Sequence, residues 1–207
     1  MQAKKKISLI VAAAKSHHAD RWIIGADNKM PWHIPEDLRY FRDMTLGKVV
    51  LMGQNTFSSI GAPLHQRINL VVSSKQPTEL KQHLVTDVPI YHNDADKLAL
   101  AQAQDAPCLY LFNQLDAALE TGLNKAQSLA EGKRDLMVIG GATIYEQTVA
   151  QAENLYITWI DQTVSGNTYL PDFKLKTDWI LQHERAGTTT AAGEASIRFC
   201  SYTRPVR

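Results

Sequence analysis

The chain of 207 residues is short of cysteine, of charge of one sign, of long apolar runs and of linker-like tracts. Each shortage removes a class of protein. Two cysteines, Cys108 and Cys200, cannot build a disulfide framework, so a reducing compartment is expected. Lys and Arg number 22 against 21 Asp and Glu, which leaves a net charge of +1 and no whole-molecule field to gather nucleic acid or an anionic membrane. No stretch approaches the ~20 apolar residues that span a bilayer. Lys4, Lys5 and Lys6 before the apolar run 7–14 imitate a secretory signal. That run is too short for one, and Lys15, His17, His18, Asp20 and Arg21 follow at once. No Pro/Gly/Ser-rich linker, repeat or low-complexity tract marks a second domain. The expectation is one soluble, cytoplasmic domain over residues 1–207, with neither nucleic acid nor membrane as a partner.

What is present is an alternation of short apolar runs with helix-period segments. Runs at 7–14, 48–52, 68–72, 136–139 and 154–160 read as strands, several apolar on both faces, and 35–45, 56–60 and 143–150 read as helices. Strands of that kind between helices predict an α/β fold, a mostly parallel sheet covered on both sides. At the carboxyl end, 179–184 and 196–204 predict an antiparallel hairpin closing one edge. The central segment, about 76–134, is enlarged and the least legible. Within it 88–92 and 108–112 resemble short strands, and 115–129 has helical spacing.

Four segments carry candidate chemistry. In residues 35–45, Pro35 suits a first helical turn. On a wheel of about 100° per residue, Asp37 then falls on the face of Phe41 and Met44. An unpaired carboxylate there would be costly to bury. Asp37 is thus either a working acid or a helix-start carboxylate favoured by the macrodipole. In residues 24–32, Gly25, Asn28 and Pro31 form turns, while Met30 and Trp32 are bulky apolar residues in a polar loop. Such a loop either closes over a ligand or is an ordinary connection with two buried anchors. Residues 137–145 pass from a strand through Gly140 and Gly141 into a helix, and residues 51–56 repeat the device at Gly53. Glycines before a helix start let backbone N–H groups approach a phosphate. Neither segment is a G-x-G-x-x-G fingerprint, but two such turns suit one extended ligand, a dinucleotide.

In this order the segments resemble dihydrofolate reductase, across 7–14, 24–60, 63–74, 137–147, 155–161, 167–172 and the closing hairpin. The resemblance implies an eight-stranded, mostly parallel sheet and reduction of 7,8-dihydrofolate to 5,6,7,8-tetrahydrofolate with NADPH. By that resemblance Asp37 is the acid of the pterin pocket, accepting from the 2-amino group and N3 with Thr158 beside it. Hydride goes to C6, and a proton reaches N5 with help from Asp37 and ordered water. Trp32 would hold such a water, and Met30 would help exclude bulk solvent. Ile10, Val11, Leu38, Phe41, Leu64, Ile139 and Tyr145 would line the pterin and aminobenzoyl slots, and Arg67 would grip the glutamate carboxylate.

For NADPH, the resemblance implies Ala12, Ile24, Asn28 and Thr168 around the nicotinamide ribose. Gly53, Gln54, Asn55 and Thr56 would cradle phosphates together with Gly140, Gly141, Ala142, Thr143 and Ile144. Val72, Ser73, Ser74 and Lys75 would lie toward the adenosine 2′-phosphate. A cis peptide between the paired glycines, and a monomer, are also implied. Gln54 departs from the family where many members carry Arg, with Lys75 as partial compensation, and Ala142 replaces a frequent third glycine. The 15–21 segment is longer than usual, and His17 with His18 reads as exposed loop rather than metal ligands. Two other readings compete. A same-fold reductase for another pterin or a ribosylaminopyrimidine is disfavoured by Asp37, Thr158 and Arg67 together. A nucleotide-binding module without catalysis is disfavoured by retention of Asp37, Trp32, Gly140 and Gly141.

Overall fold

The apolar runs become strands because, once buried, their backbone groups find partners only in a ladder. The structure is a computed structural model that describes residues 6–17, 20–76, 78–79, 89–100, 108–187 and 196–205. In chain order the elements are β1 (Lys6–Ser16), β2 (Trp22–Gly25), α1 (Pro35–Thr45), β3 (Val49–Gly53), α2 (Gln54–Ile60), β4 (Ile68–Val72), β5 (Ile90–His92), α3 (Ala95–Leu100) and β6 (Leu109–Phe112). After these come α4 (Leu115–Gln127), β7 (Asp135–Gly140), α5 (Ala142–Thr148), a 3-10 turn (Val149–Gln151), β8 (Asn154–Val164), β9 (Thr168–Tyr169), α6 (Leu175–Asp178), β10 (Ile180–Ala186) and β11 (Ser196–Thr203).

The sheet runs β10-β11-β8-β1-β7-β3-β4-β6-β5, with β2 beside β1 and β9 beside β2. From β8 to β5 every neighbour along this path is parallel. The β8–β11 and β10–β11 pairs are antiparallel, which makes the closing hairpin. The sheet is therefore mostly parallel, as expected, but has eleven strands rather than eight. The two strands off the path, β2 and β9, are four and two residues long. Segments that short carry no period to detect in the sequence. β2 pairs where β1 is irregular, at Ala14 and Lys15.

Boundaries moved where local chemistry intervened. The helix expected over 56–60 starts at Gln54, because Gly53 ends β3 and serves directly as its N-cap. The helix expected over 143–150 ends at Thr148, and a 3-10 turn completes it. Trp179 stands outside β10, buried, its indole N–H donating to the Phe173 carbonyl at 3.0 Å. The central segment adds β5, α3, β6 and α4, lengthening the sheet at the β4 side. Val88 and His18 lie outside the described residues. His17 is exposed, and among the described residues no cluster of His, Cys, Asp or Glu could hold a metal ion. Likewise, among the described residues no helix is long and apolar enough to cross a membrane.

The helices press one core against each face of the sheet. What matters for the site is that β1, β3 and β7 are parallel neighbours ending at the same edge. Loops leaving the carboxyl ends of such strands enclose a crevice where the chain order of the strands reverses.

Candidate active site

That crevice is a cleft of about 990 Å³ lined from β1, α1, α2, β7, α5, β8 and the loop after β2. It brings together nearly every residue singled out in the sequence. Ile10, Val11 and Ala12 come from β1, Asp37, Leu38 and Phe41 from α1, and Thr158 from β8. Gly53, Gln54, Asn55 and Thr56 line it beside Gly140, Gly141, Ala142, Thr143, Ile144 and Tyr145, on the adjacent strands β3 and β7 and the helices that follow them. Ile24, Asn28, Met30 and Trp32 close one side, with Leu64, Val72, Ser73, Ser74, Ile139 and Thr168 completing the wall.

Asp37 is buried at 6% exposure in the first turn of α1. Burial pushes its carboxyl above the ordinary carboxylate range, and a hydrogen bond with Thr158 offsets part of that rise. Among the described residues no cation pairs with Asp37, so desolvation governs its titration. Tyr145 is also buried, with its hydroxyl donating to the Ile10 carbonyl at 2.6 Å. The nearby Asp37 charge, added to burial, drives the Tyr145 phenol far up, so it stays a neutral donor. The indole Nε1 of Trp32 is buried in the same cleft and has no hydrogen-bond partner among the described residues. A buried donor of that kind calls for a ligand or a water.

The two glycine turns form the opposite half. Gly140 has φ +123°, and the Gly140–Gly141 peptide is cis. A Cβ on Gly140 would stand 3.2 Å from Thr56 Oγ1 and 3.3 Å from the Tyr145 hydroxyl. α5 and α2 begin directly after these turns, each with a glycine at the N-cap and so no capping side chain there. The Ser73 hydroxyl donates to Gln54 Oε1 at 2.6 Å and accepts the Lys75 N–H at 2.9 Å. Gln54 is thereby held by its oxygen.

The loop after β2 turns at Ala26–Lys29, where reciprocal backbone hydrogen bonds of 2.8 Å close a turn with Asp27 and Asn28 at positive φ. Asn167 fastens it, accepting the Asp27 N–H at 3.1 Å and donating to Asp27 Oδ1 at 2.7 Å. Gly166 makes this docking possible, since a Cβ there would lie 2.6 Å from the Gly25 carbonyl oxygen. Gly166→Ala is expected to push the two loops apart and lower stability by about 1–3 kcal/mol. Urea unfolding of the variant would measure it, and an unchanged midpoint would contradict the packing described.

Two expected site residues lie outside the lining. Lys75 is exposed, with its side chain beyond the cleft. Arg67 is 9% exposed and held by three bonds: Nε to Thr45 Oγ1 at 2.9 Å, Nη1 to the His65 carbonyl at 2.8 Å and Nη2 to the Arg42 carbonyl at 3.3 Å. Conversely, Lys29, His33, Ser59 and Ile60 line the cleft without any signal assigned to them above, and Gly25, read only as a turn former, lines it too. Ile60 had a signal, one helical turn on from Thr56 and therefore on the same face. It is 39% exposed, as Met30 and Leu38 are at 49% and 38%, so the cleft mouth is an uncovered apolar rim. Cys200 is buried and Cys108 half-buried, and neither lines the cleft.

Known proteins share this chain's sequence pattern and fold. The family model for dihydrofolate reductase matches residues 6–204. A dihydrofolate reductase type 3 of Salmonella typhimurium is 36% identical over 196 residues, covering 95% of this chain and 94% of that protein. The dihydrofolate reductase of Neisseria meningitidis is 34% identical over 200 residues, covering 96% and 98%. Among solved structures, dihydrofolate reductase from Enterococcus faecalis complexed with NADP(H) and RAB-propyl superposes with a TM-score of 0.67 at 20% identity, covering 96% of this chain and 97% of that one. With nearly its whole length matched, the chain belongs to the dihydrofolate reductase family, the enzymes that reduce 7,8-dihydrofolate to tetrahydrofolate with NADPH.

Proposed function

We propose that this chain carries out that reduction with Asp37 at the pterin end of the cleft and the glycine turns at the cofactor end. The single observation that carries the reading is a buried carboxylate that no cation pairs with among the described residues, in the same cleft as a buried indole N–H with no partner among them. Asp37 and Thr158 offer an acceptor and a hydroxyl to an aminopterin edge. Trp32 Nε1 holds an ordered water near them, through which Asp37 supplies the proton taken up at N5. Ile10, Val11, Leu38, Phe41, Leu64, Ile139 and Tyr145 provide the apolar slot, and Met30 with the loop on Asn167 excludes bulk water.

The residues present fit NADPH, whose chemistry when bound is the supply of hydride to pterin C6. Glycine at 53, 140 and 141 lets the backbone approach a diphosphate, and the uncapped first turns of α2 and α5 supply N–H donors. Ala12, Ile24, Asn28 and Thr168 sit toward the nicotinamide end. Val72, Ser73, Ser74 and Gln54 sit toward the adenosine end, with Lys75 near by. The Gln54 oxygen is already engaged by Ser73, so its amide N–H₂ is the group turned to a 2′-phosphate. The reading extends to one domain over 1–207 acting as a cytoplasmic monomer. In its support, one family model matches residues 6–204, and Cys108 and Cys200 are free thiols.

Arg67 grips the substrate's glutamate carboxylate. Its guanidinium is fixed by three acceptors, and among the described residues no carboxylate pairs with it, which leaves its charge for a ligand. The test is loss of NADPH absorbance on adding dihydrofolate. In that assay Arg67→Leu is expected to raise the dihydrofolate KM about tenfold and leave the NADPH KM unchanged. No turnover by the wild-type chain would overturn the function, and an unaltered KM would remove Arg67 from the site.

A further inference from the structure

The row of residues that crosses the sheet at Asp37 continues beyond the cleft to the last strand. Ala12 of β1 is in register with Thr158 of β8, Thr158 with Phe199 of β11, and Phe199 with Arg185 of β10. Residues paired across strands project from one face of a sheet, so these side chains stand next to one another. α1 lies over the row and is engaged by it at three points. Thr158 hydrogen-bonds Asp37. The Phe199 ring lies 4.5 Å from that of Tyr40. Arg185 Nη1 donates to Glu36 Oε1 at 3.0 Å, while its guanidinium carbon sits 4.4 Å from the centroid of the Phe199 ring. Glu36, Asp37 and Tyr40 belong to the opening turns of α1, whose N-cap, Ile34, makes no side-chain capping bond.

We propose that Arg185 is a positioning residue for the reaction: through Glu36 and the Phe199–Tyr40 stack it holds the start of α1, and with it the Asp37 carboxylate, at a fixed depth beside the pterin. The proposal rests on the reading of Asp37 above. Arg185 touches neither ligand site, since it is absent from the cleft lining. Its planar guanidinium suits the task, because one face lies on the Phe199 ring while its edge reaches the carboxylate. The Glu36 side chain is 16% exposed against 58% for Arg185, so the pair is half-solvated and its effect is modest. A modest effect still registers in kinetics when the displaced group aligns a reacting ring.

Steady-state kinetics of Arg185→Ala, Arg185→Lys, Glu36→Gln and the Glu36→Gln/Arg185→Ala double variant test this. Arg185→Ala and Glu36→Gln are each expected to raise the dihydrofolate KM roughly fivefold, with the NADPH KM unchanged because α1 borders only the folate half. The double variant should be no worse than either single change, as for two ends of one contact. Arg185→Lys keeps a cation for Glu36 but loses the flat face on the Phe199 ring, so it should recover only part of the loss. An unaltered dihydrofolate KM, additive single effects or no recovery by Lys would overturn the proposal. So would a rise in both KM values together with a fall in Tm, the signature of a loosened hairpin. Should Arg185→Ala fail to fold, Glu36→Gln makes the same comparison from the helix side. Asp37→Asn run in parallel separates the failures: an active Asp37→Asn defeats the reading of Asp37. An inactive one beside a normal Arg185→Ala defeats only the positioning role.

Discussion

Replacing Asp37 by Asn is expected to lower the rate of dihydrofolate reduction near neutral pH by about 10²-fold or more, the scale of a lost positioned proton donor. The same change is expected to make the fold more stable. Both follow from the burial of one carboxyl. Its folded pKa is raised above the unfolded value, so across the interval between them the folded state binds more protons than the unfolded state. Stability then falls as pH rises through that interval, and above it the whole penalty of a buried charge persists. Asn keeps the shape and cannot ionise, so Tm at neutral pH should exceed that of the wild type. The hydride-transfer rate of the wild type should fall as pH rises through the raised pKa, and the variant should lose that inflection. Stopped-flow rates across pH, beside thermal melts at acidic and neutral pH, measure all three effects. A variant both active and less stable would mean that the carboxylate is a structural partner instead.

Gly140→Ala is expected to be nearly as severe, for a backbone reason. At φ +123° an L side chain is strained, and the added Cβ would meet Thr56 Oγ1 at 3.2 Å and the Tyr145 hydroxyl at 3.3 Å. Tyr145 cannot retreat, because its hydroxyl is bonded to the Ile10 carbonyl at 2.6 Å inside the core. The expected loss is about 3 kcal/mol of stability, and displacement of the turn should weaken NADPH binding by more than about tenfold. Gly53→Ala is the control. There the nearest atom to a Cβ is Ile144 Cγ1 at 3.1 Å and φ is negative, so the change should be milder. Fluorescence titration with NADPH and urea unfolding of both variants test this ordering. Normal cofactor affinity in Gly140→Ala would show that this turn does not approach the ligand.

Much of this is legible in the amino-acid sequence because it is local. Pro35 opens α1, and the helical period puts Asp37 on the face of Phe41, which is how the fold buries it. The strand–glycine–helix turns at Gly53 and Gly140 are visible for the same reason, each being a few consecutive residues with one geometry. Other features leave little trace. β2 and β9 exist only because they meet each other and the irregular end of β1. Arg67 reads as a turn residue that the family resemblance assigns to a carboxylate. Nothing nearby in sequence announces that Thr45, His65 and Arg42 fix its guanidinium. Trp32 stands out as an aromatic in a polar loop, but the burial of its indole N–H, unpartnered among the described residues, is a property of the assembled cleft.

The amino-acid order alone determined the α/β class, the nine strands of the main path, the acid on α1 and the glycine turns. Each depends on side-chain periodicity or backbone freedom over a few neighbouring positions. Tertiary structure decided how deep Asp37 is buried, that Arg67 is clamped, and that Arg185 reaches Glu36 from 149 residues away. The physical reason is strand register: once β8, β11 and β10 pair in line, Thr158, Phe199 and Arg185 become neighbours under one helix, and no local pattern encodes that alignment.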